Sequence, residues 1–381
     1  MRELSKLSLY YTPGEFHIDG IPYDGIPIFV CPDSMRIEFL PTEWMIYLAV
    51  IQGRTQSPLS WRLYAYTLRD YIAFADAHSL DWRAPTEATL GHYSNYMRKR
   101  GLKRNTLVRA VGIVCAFYEW SHAKGYITTL PLTYESVRPL RHGKFLAHVV
   151  DPDKLSARSI VIPKAHRRDR IPRFFTRQEQ EQFMKRLSPR DQLIVLWALY
   201  TGAREHEICA LTVGQIPDGS LYRGSTVVRF PLRKTKGDVP GDLYVPAWLI
   251  DKTFQYIRFY DRRSVVHAAR RRGSTVPDNI FLSRWGRGLK PDSVYQLFKA
   301  ALNAAGIPGT FHDLRHTYAI SMLDRLMRTS QFANSDGRNP LLILKNLMRH
   351  SSIETTQIYL QAREFYLTDI FSDAWELPDD L

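Results

Sequence analysis

The chain has 381 residues, enough for two or three domains that each bury a core, and its apolar content of 45% and charged content of 24% are those of a soluble globular protein. A formal net charge of +14 points to a polyanionic partner, most simply nucleic acid. No apolar run approaches the roughly 20 residues that span a bilayer, nothing near the N-terminus has the make-up of a signal peptide, and Cys31, Cys115 and Cys209 are too far apart for a zinc site or a disulfide framework. These features exclude membrane and disulfide-scaffold classes and imply a cytoplasmic protein with buried free thiols, associated with the nucleoid when on DNA.

Residues 1–40 are rich in glycine and proline, with short apolar pieces such as Ile28-Phe29-Val30, and read as an extended arm or small hairpin of uncertain structure. From 41 to about 135 the apolar spacing is helical. One helix opens at Thr42 as a capping residue, a second covers 60–78, a third 86–100 and a fourth starts at Asn105. The third ends in a basic last turn followed by Gly101, a C-cap residue. Arg98, Lys99, Arg100, Lys103 and Arg104 crowd one helix junction and are candidate contacts to DNA phosphates, or else solvated helix ends. Tyr64, Tyr71 and Trp120 are expected in the core rather than as base-stacking platforms.

Residues 136–171 lack periodicity and carry many cations, Arg167 and Arg168 among them. Such a linker suits a strap lying along a phosphate backbone. A second domain spans 172–365. Thr176 with Glu179 has capping-box spacing. An apolar helix over 192–200 breaks at Gly202, and Glu205 to Leu211 continues helically. Alternating segments 227–232 and 242–246 predict a hairpin or three-stranded sheet with the turn Arg233-Lys234-Thr235-Lys236-Gly237 at its tip. Helices follow over 248–271 and 293–304. The chain closes on an acidic tail, 366–381, with apolar residues such as Phe371 and Trp375. The fold class is mainly α with a small β-sheet.

Four stretches in this second domain carry chemistry: Thr201-Gly202-Ala203-Arg204-Glu205-His206-Glu207-Ile208, the Lys-rich turn, Phe311-His312-Asp313-Leu314-Arg315-His316-Thr317, and His350-Ser351-Ser352-Ile353-Glu354-Thr355-Thr356-Gln357-Ile358-Tyr359. His312 and Arg315, three apart, share one face of a helix. Metal-free cleavage of a phosphodiester needs a nucleophile, positive charge on the non-bridging oxygens and an acid for the leaving oxygen. Arg204 and Arg315 can clamp the phosphate. His312 can help deprotonate a nucleophile, and His350 can hydrogen-bond the phosphate. Lys236, which competes with Lys234 for the role, can protonate the departing 5′ oxygen. Tyr359, nine residues after His350, is the candidate nucleophile. No acidic cluster has metal-ligand spacing, so neither metal nor cofactor is expected. Glu205, Glu207 and Asp313 are expected to orient basic side chains or cap helices, and His316 to be a packed neighbour of the site.

In their order and spacing these boxes resemble the tyrosine recombinase, or phage integrase, family over about 172–365, and 41–135 resembles that family's helical, SAM-like core-binding domain. The resemblance implies a two-domain, C-shaped clamp on duplex DNA carrying specific core sites. It also implies a 3′-phosphotyrosyl intermediate, strand exchange through a Holliday junction by a homotetramer, a C-terminal segment docking on a neighbouring subunit, and accessory DNA-bending or directionality proteins. Integration and excision of a mobile element is the expected role, with resolution of chromosome or plasmid dimers as the alternative. A type IB topoisomerase, which shares the phosphotyrosine chemistry, would relax supercoils as a monomer without sequence preference; a non-catalytic DNA-binding regulator stands further off, since none of the Arg, His and Tyr positions is missing. Arg349 stands where the family commonly has glycine, a departure expected either to add a DNA contact or to alter the approach of that helix.

Overall fold

The computed structural model describes residues 7–52, 57–132, 134–136, 156–158, 171–217, 224, 226–232, 241–259, 261–332, 339–350 and 352–367. It divides into two compact units, Met1–Arg167 and Arg168–Leu381.

In the first unit the glycine-rich start is folded into short strands. β1 (Ser8–Tyr11), β2 (His17–Ile18), β3 (Ile21–Pro22) and β4 (Pro27–Val30) form two antiparallel pairs, β1 on β4 with Ser8 opposite Val30, and β2 on β3. Asp19 and Gly20 both have positive φ, at 51° and 80°, which is the two-residue turn geometry that matches strand twist. Leu7, Ile26 and Phe29 enter the core, so this segment packs down rather than extending. The helices are α1 (Phe39–Ile46), continued by a π-helical turn at Tyr47–Ile51, then α2 (Pro58–Ala77), α3 (Glu87–Lys99) and α4 (Arg104–Ala123). Thr42 does not cap α1. It lies inside the helix, and its buried hydroxyl accepts the Phe29 N–H at 3.0 Å, tying the strands to the bundle. Thr86 does cap α3, and its hydroxyl accepts from the Thr89 N–H.

Tyr71 and Trp120 are buried as expected, and Tyr64 is half-buried against Trp44. The Tyr118 hydroxyl donates to the Trp82 carbonyl at 2.8 Å, so Tyr71 must donate to Tyr118 at 2.7 Å, and both buried hydroxyls are satisfied. β5 (Tyr134–Ser136) and β6 (Ser156–Arg158) pair beyond the bundle.

The second unit contains α5 (Arg177–Met184), α6 (Pro189–Thr201), α7 (Glu205–Cys209), β7 (Val227–Leu232), β8 (Gly241–Pro246), α8 (Ala247–Phe259), α9 (Asp261–Arg271), α10 (Pro291–Ala304), α11 (His312–Phe332), α12 (Pro340–Met348) and α13 (Glu354–Leu367). Several boundaries follow from local chemistry. α5 begins at the Thr176–Glu179 capping box. α6 starts three residues earlier than the apolar run, because Ser188 caps it and Pro189 takes the first position. The span expected to be helical over 248–271 holds α8 and α9. Strands β7 and β8 pair antiparallel, with Phe230, Leu232, Leu243 and Val245 turned inward. Among the described residues this sheet has two strands.

Trp197 of α6 is fully buried, packs its ring on Phe230 and donates its indole N–H to Thr253 at 3.0 Å. α11 packs against α6, α12 and α13, and near its start Arg315 meets Gly202 after α6 and Met348 at the end of α12 while His316 meets Tyr359 of α13. The chemistry expected from the sequence converges there.

Candidate active site

Arg204 sits at the N-terminus of α7, immediately after the turn that ends α6 at Gly202. Gly202 has φ of 65°, and a Cβ there would lie 2.5 Å from the Tyr318 ring, so only glycine fits both the backbone and the space. The carbonyl freed by that turn accepts from Arg315, as does the Met348 carbonyl at the end of α12. Arg315 is 2% exposed and bonds carbonyls alone, with no ion pair among the described residues. Burial, then the nearby Arg204 and Arg349, push its pKa down to about 9.

The anion nearby is Glu207, whose side chain is wholly buried. It accepts the Arg204 backbone N–H at 2.8 Å, the Arg204 guanidinium at 2.9 Å and the Arg349 guanidinium at 2.6 Å. Burial alone would raise this carboxyl, but Arg349 and Arg204 hold it below the usual glutamate value. Arg349 therefore points into the protein onto Glu207 rather than outward as a DNA contact. It closes α12 in the left-handed region, at φ of 52°. Three guanidinium groups and one carboxylate leave this centre short of negative charge.

Arg204, His312 and Arg315 line one cavity of about 180 Å³, together with Glu205, His206 and Phe311. His312 opens to solvent on one side, while the protein around it, followed by Arg315, lowers its pKa. Burial raises the pKa of Glu205, with Asp292 adding to it, which moves the group toward its neutral form beside an anion site. Asp313 accepts the backbone N–H and hydroxyl of Thr310, a local structural role at the start of α11.

Tyr359 lies on α13, buried to 2% exposure, and burial raises its hydroxyl to about 12 although Arg315 and Arg204 oppose this. His350 stacks on its ring at 6.2 Å and 13°, with Nδ1 held 3.0 Å from the Thr356 hydroxyl. Its pKa falls to about 4, mainly through burial and then through Arg315. His316 does more than fill space beside the site: its Nδ1 is 2.9 Å from the Tyr359 hydroxyl. The signal for this was in the sequence, since His312 and His316 are four apart on α11 and share a face with Arg315. The Arg349–Glu207 pair, 142 positions apart, had no comparable signal.

Lys234, Lys236, Arg167, Arg168 and the tail from 368 lie outside the described residues. Arg98, Lys99, Arg100, Lys103 and Arg104 are all exposed at the α3–α4 junction. Arg98 and Lys99 border a groove of about 610 Å³ with His78, His92 and Tyr96, and the Arg100 guanidinium lies over the Tyr96 ring at 5.5 Å.

Two family models match the chain: "Phage integrase family" over residues 173–364 and "Phage integrase, N-terminal SAM-like domain" over residues 43–125. Tyrosine recombinase XerA of Pyrococcus furiosus is 26% identical over 301 residues, covering 74% of this chain and 91% of that protein. Tyrosine recombinase XerC of Mycobacterium tuberculosis is 26% identical over 325 residues, 82% of this chain and 90% of its own length. Among solved structures, lambda integrase residues 75–356 bound to DNA has a similar fold, with a TM-score of 0.53 at 13% identity over 87% of this chain and 97% of that one.

Proposed function

The chain belongs to the phage integrase family and is a tyrosine recombinase, and from that premise we propose that it cuts and rejoins specific duplex DNA sites through a 3′-phosphotyrosyl ester on Tyr359. The observation that carries the reading is Arg315: a buried guanidinium bonded to carbonyls alone, lining a cavity with Arg204 and His312. Burying a cation without an anion is costly, and a phosphate in the cavity supplies the missing charge. The charge grows as phosphorus becomes five-coordinate, so the two arginines bind the transition state more strongly than the ground state.

In the first step the Tyr359 oxygen bonds to phosphorus and the bond to the 5′ oxygen breaks. His312 assists removal of the tyrosine proton, His350 holds the phosphate, and Lys236 or Lys234 gives the 5′ oxygen a proton. Reversal of the step by a different 5′ hydroxyl rejoins the strand, so the ester conserves the bond without an external energy source. The exposed basic junction from Arg98 to Arg104, with Arg167 and Arg168, contributes phosphate contacts, and the working assembly is a homotetramer on its DNA site.

The finer role is integration and excision of a mobile element. The folded strand segment over 8–30, which precedes the SAM-like match beginning at residue 43, supports an arrangement beyond a minimal recombinase. Covalent trapping tests both levels. Incubated with nicked duplexes from the DNA flanking its own gene, the protein is expected to give an adduct that survives denaturing electrophoresis and vanishes in Tyr359→Phe, which still binds. Binding without any adduct would refute the chemistry. Trapping on a chromosomal or plasmid resolution site, and not on flanking DNA, would replace the mobile-element role with dimer resolution. On a 5′-thio substrate, whose leaving group needs no proton, only the variant lacking the true acid, Lys236→Ala or Lys234→Ala, is rescued.

A further inference from the structure

Two histidines, His316 and His350, lie against Tyr359, and a third, His312, meets His316. His350 presents its ring face, at 13° to the tyrosine plane, and its Nδ1 is occupied by Thr356. His312 lines the cavity with the arginines and meets the edge of His316, at 4.7 Å between ring centres and 86° between planes. His316 alone among the described residues places a nitrogen at hydrogen-bonding distance from the Tyr359 hydroxyl, 2.9 Å. Its ring is fixed by the His312 edge on one side and the Tyr359 ring on the other, at 5.7 Å.

We propose that His316 is the positioning residue of the nucleophile, its Nδ1 bond fixing the direction in which the Tyr359 hydroxyl meets the phosphate. The inference rests on the reading of Tyr359 as nucleophile. A phenol hydroxyl can turn about its C–O bond and the side chain can shift about χ1, and one directional bond at the oxygen removes that freedom before the substrate arrives. The bond positions rather than ionises. Burial, and then His312, bring the His316 ring down to about 4, while burial brings the tyrosine up to about 12, so the shared proton stays on the phenol oxygen. His316 thus accepts a hydrogen bond and leaves the oxygen lone pairs free.

The test uses the full chain and single-turnover cleavage of a nicked duplex at saturating protein, with DNA binding and thermal melting measured for every variant. His316→Ala is expected to slow cleavage about 100-fold or more with binding unchanged, the loss that misplacing a reacting group by about 1 Å produces. His316→Asn places its amide where Nδ1 stands and is expected to recover cleavage to within about 10-fold of the wild type. His316→Gln, whose amide reaches the Nε2 position instead, is expected to stay slow, and this pair decides the matter even where the alanine variant fails to fold. A 5′-thio leaving group is expected to rescue none of them, because the defect lies on the attacking side. Cleavage by His316→Ala at the wild-type rate would overturn the proposal, and so would His316→Asn being as slow as His316→Gln, which would make His316 a proton carrier. Absence of an adduct from the wild type would instead overturn the assignment of Tyr359, so the two failures are distinguishable.

Discussion

Replacing Gly202 by alanine adds one methyl group at the point where the fold and the active site share a backbone turn. The φ of 65° costs an L-residue about 1–2 kcal/mol. The new Cβ would lie 2.5 Å and 2.8 Å from two Tyr318 ring carbons and 3.3 Å from the Met348 sulfur. Tyr318 is 5% exposed and Met348 is fully buried, so neither can swing away, and overpacking of this kind costs about 1–3 kcal/mol. The sum is about 2–5 kcal/mol, and the Gly202 carbonyl that holds Arg315 moves with it. Chemical denaturation read by tryptophan fluorescence is expected to show the second unit, which holds Trp197, Trp248, Trp285 and Trp375, unfolding at lower denaturant. Cleavage is expected to fall by more than DNA binding does. In a Tyr318→Ala background the clash with the ring disappears and only the 3.3 Å approach to the Met348 sulfur remains, so Gly202→Ala should cost little beyond the backbone strain of about 1–2 kcal/mol. A Gly202→Ala protein as stable as the wild type, or an equal cost in both backgrounds, would refute the reasoning.

Two further outcomes are expected. His316 and His350 are both held near about 4, below the ordinary histidine value of 6.5, so the unfolded chain takes up protons first as pH falls. Their stabilising contribution is complete above pH 6.5 and is lost as pH drops toward 4, up to ~3 kcal/mol for His316 and less for the more solvent-screened His350. Glu207, depressed by Arg349 and Arg204, loses its contribution at still lower pH, through its folded-state value. Thermal melting between pH 8 and pH 4.5 checks this, and a melting temperature flat across that window would contradict it. At the α3–α4 junction, alanine at Arg98, Arg100 and Lys103 together is expected to weaken binding to all sequences alike and to reduce the salt slope of binding by about 3. An unchanged slope would remove this surface from the DNA interface.

Helix starts were legible at several boundaries that a side chain writes, though the Ser188 cap of α6 was passed over. Thr176 with Glu179, Thr86 before α3 and Gly101 after it could be read from residue types because capping is a local bond. In the first forty residues only the piece Ile28-Phe29-Val30, which lies in β4, could be read, since β1 and β4 are four residues each and are held by partners sixteen or more positions away. Thr42 looked like a cap because its residue type suits one, yet tertiary packing gave its hydroxyl to Phe29. In the site, the arginine and tyrosine boxes could be read because their spacing along α7, α11 and α13 is local. Arg349 could not, because its partner Glu207 is brought to it only by the packing of α12 against the turn after α6.

The charge balance of the site leads to a last expectation. Arg204, Arg315 and Arg349 share Glu207 as their neighbouring anion, and the Arg315 guanidinium bonds neutral carbonyls. Folding has therefore concentrated positive charge that only a ligand relieves, and an anion in the cavity should stabilise the folded second unit even without DNA. For inorganic phosphate binding with a dissociation constant of about 1 mM, a concentration of about 10 mM adds ~1.4 kcal/mol by linkage. General exclusion of phosphate from protein surfaces also raises stability, so the comparison must be with Arg204→Ala. Arg204 is 24% exposed at its side chain and lines the cavity, whereas Arg315 is part of the core, so removing Arg204 weakens anion binding with less damage to the fold. The expected result is a phosphate-dependent rise in melting temperature that saturates in the wild type and is lost in Arg204→Ala. Equal, unsaturating rises in the two proteins would mean that the cavity does not bind the anion, and that the buried positive charge of Arg315 is compensated from elsewhere.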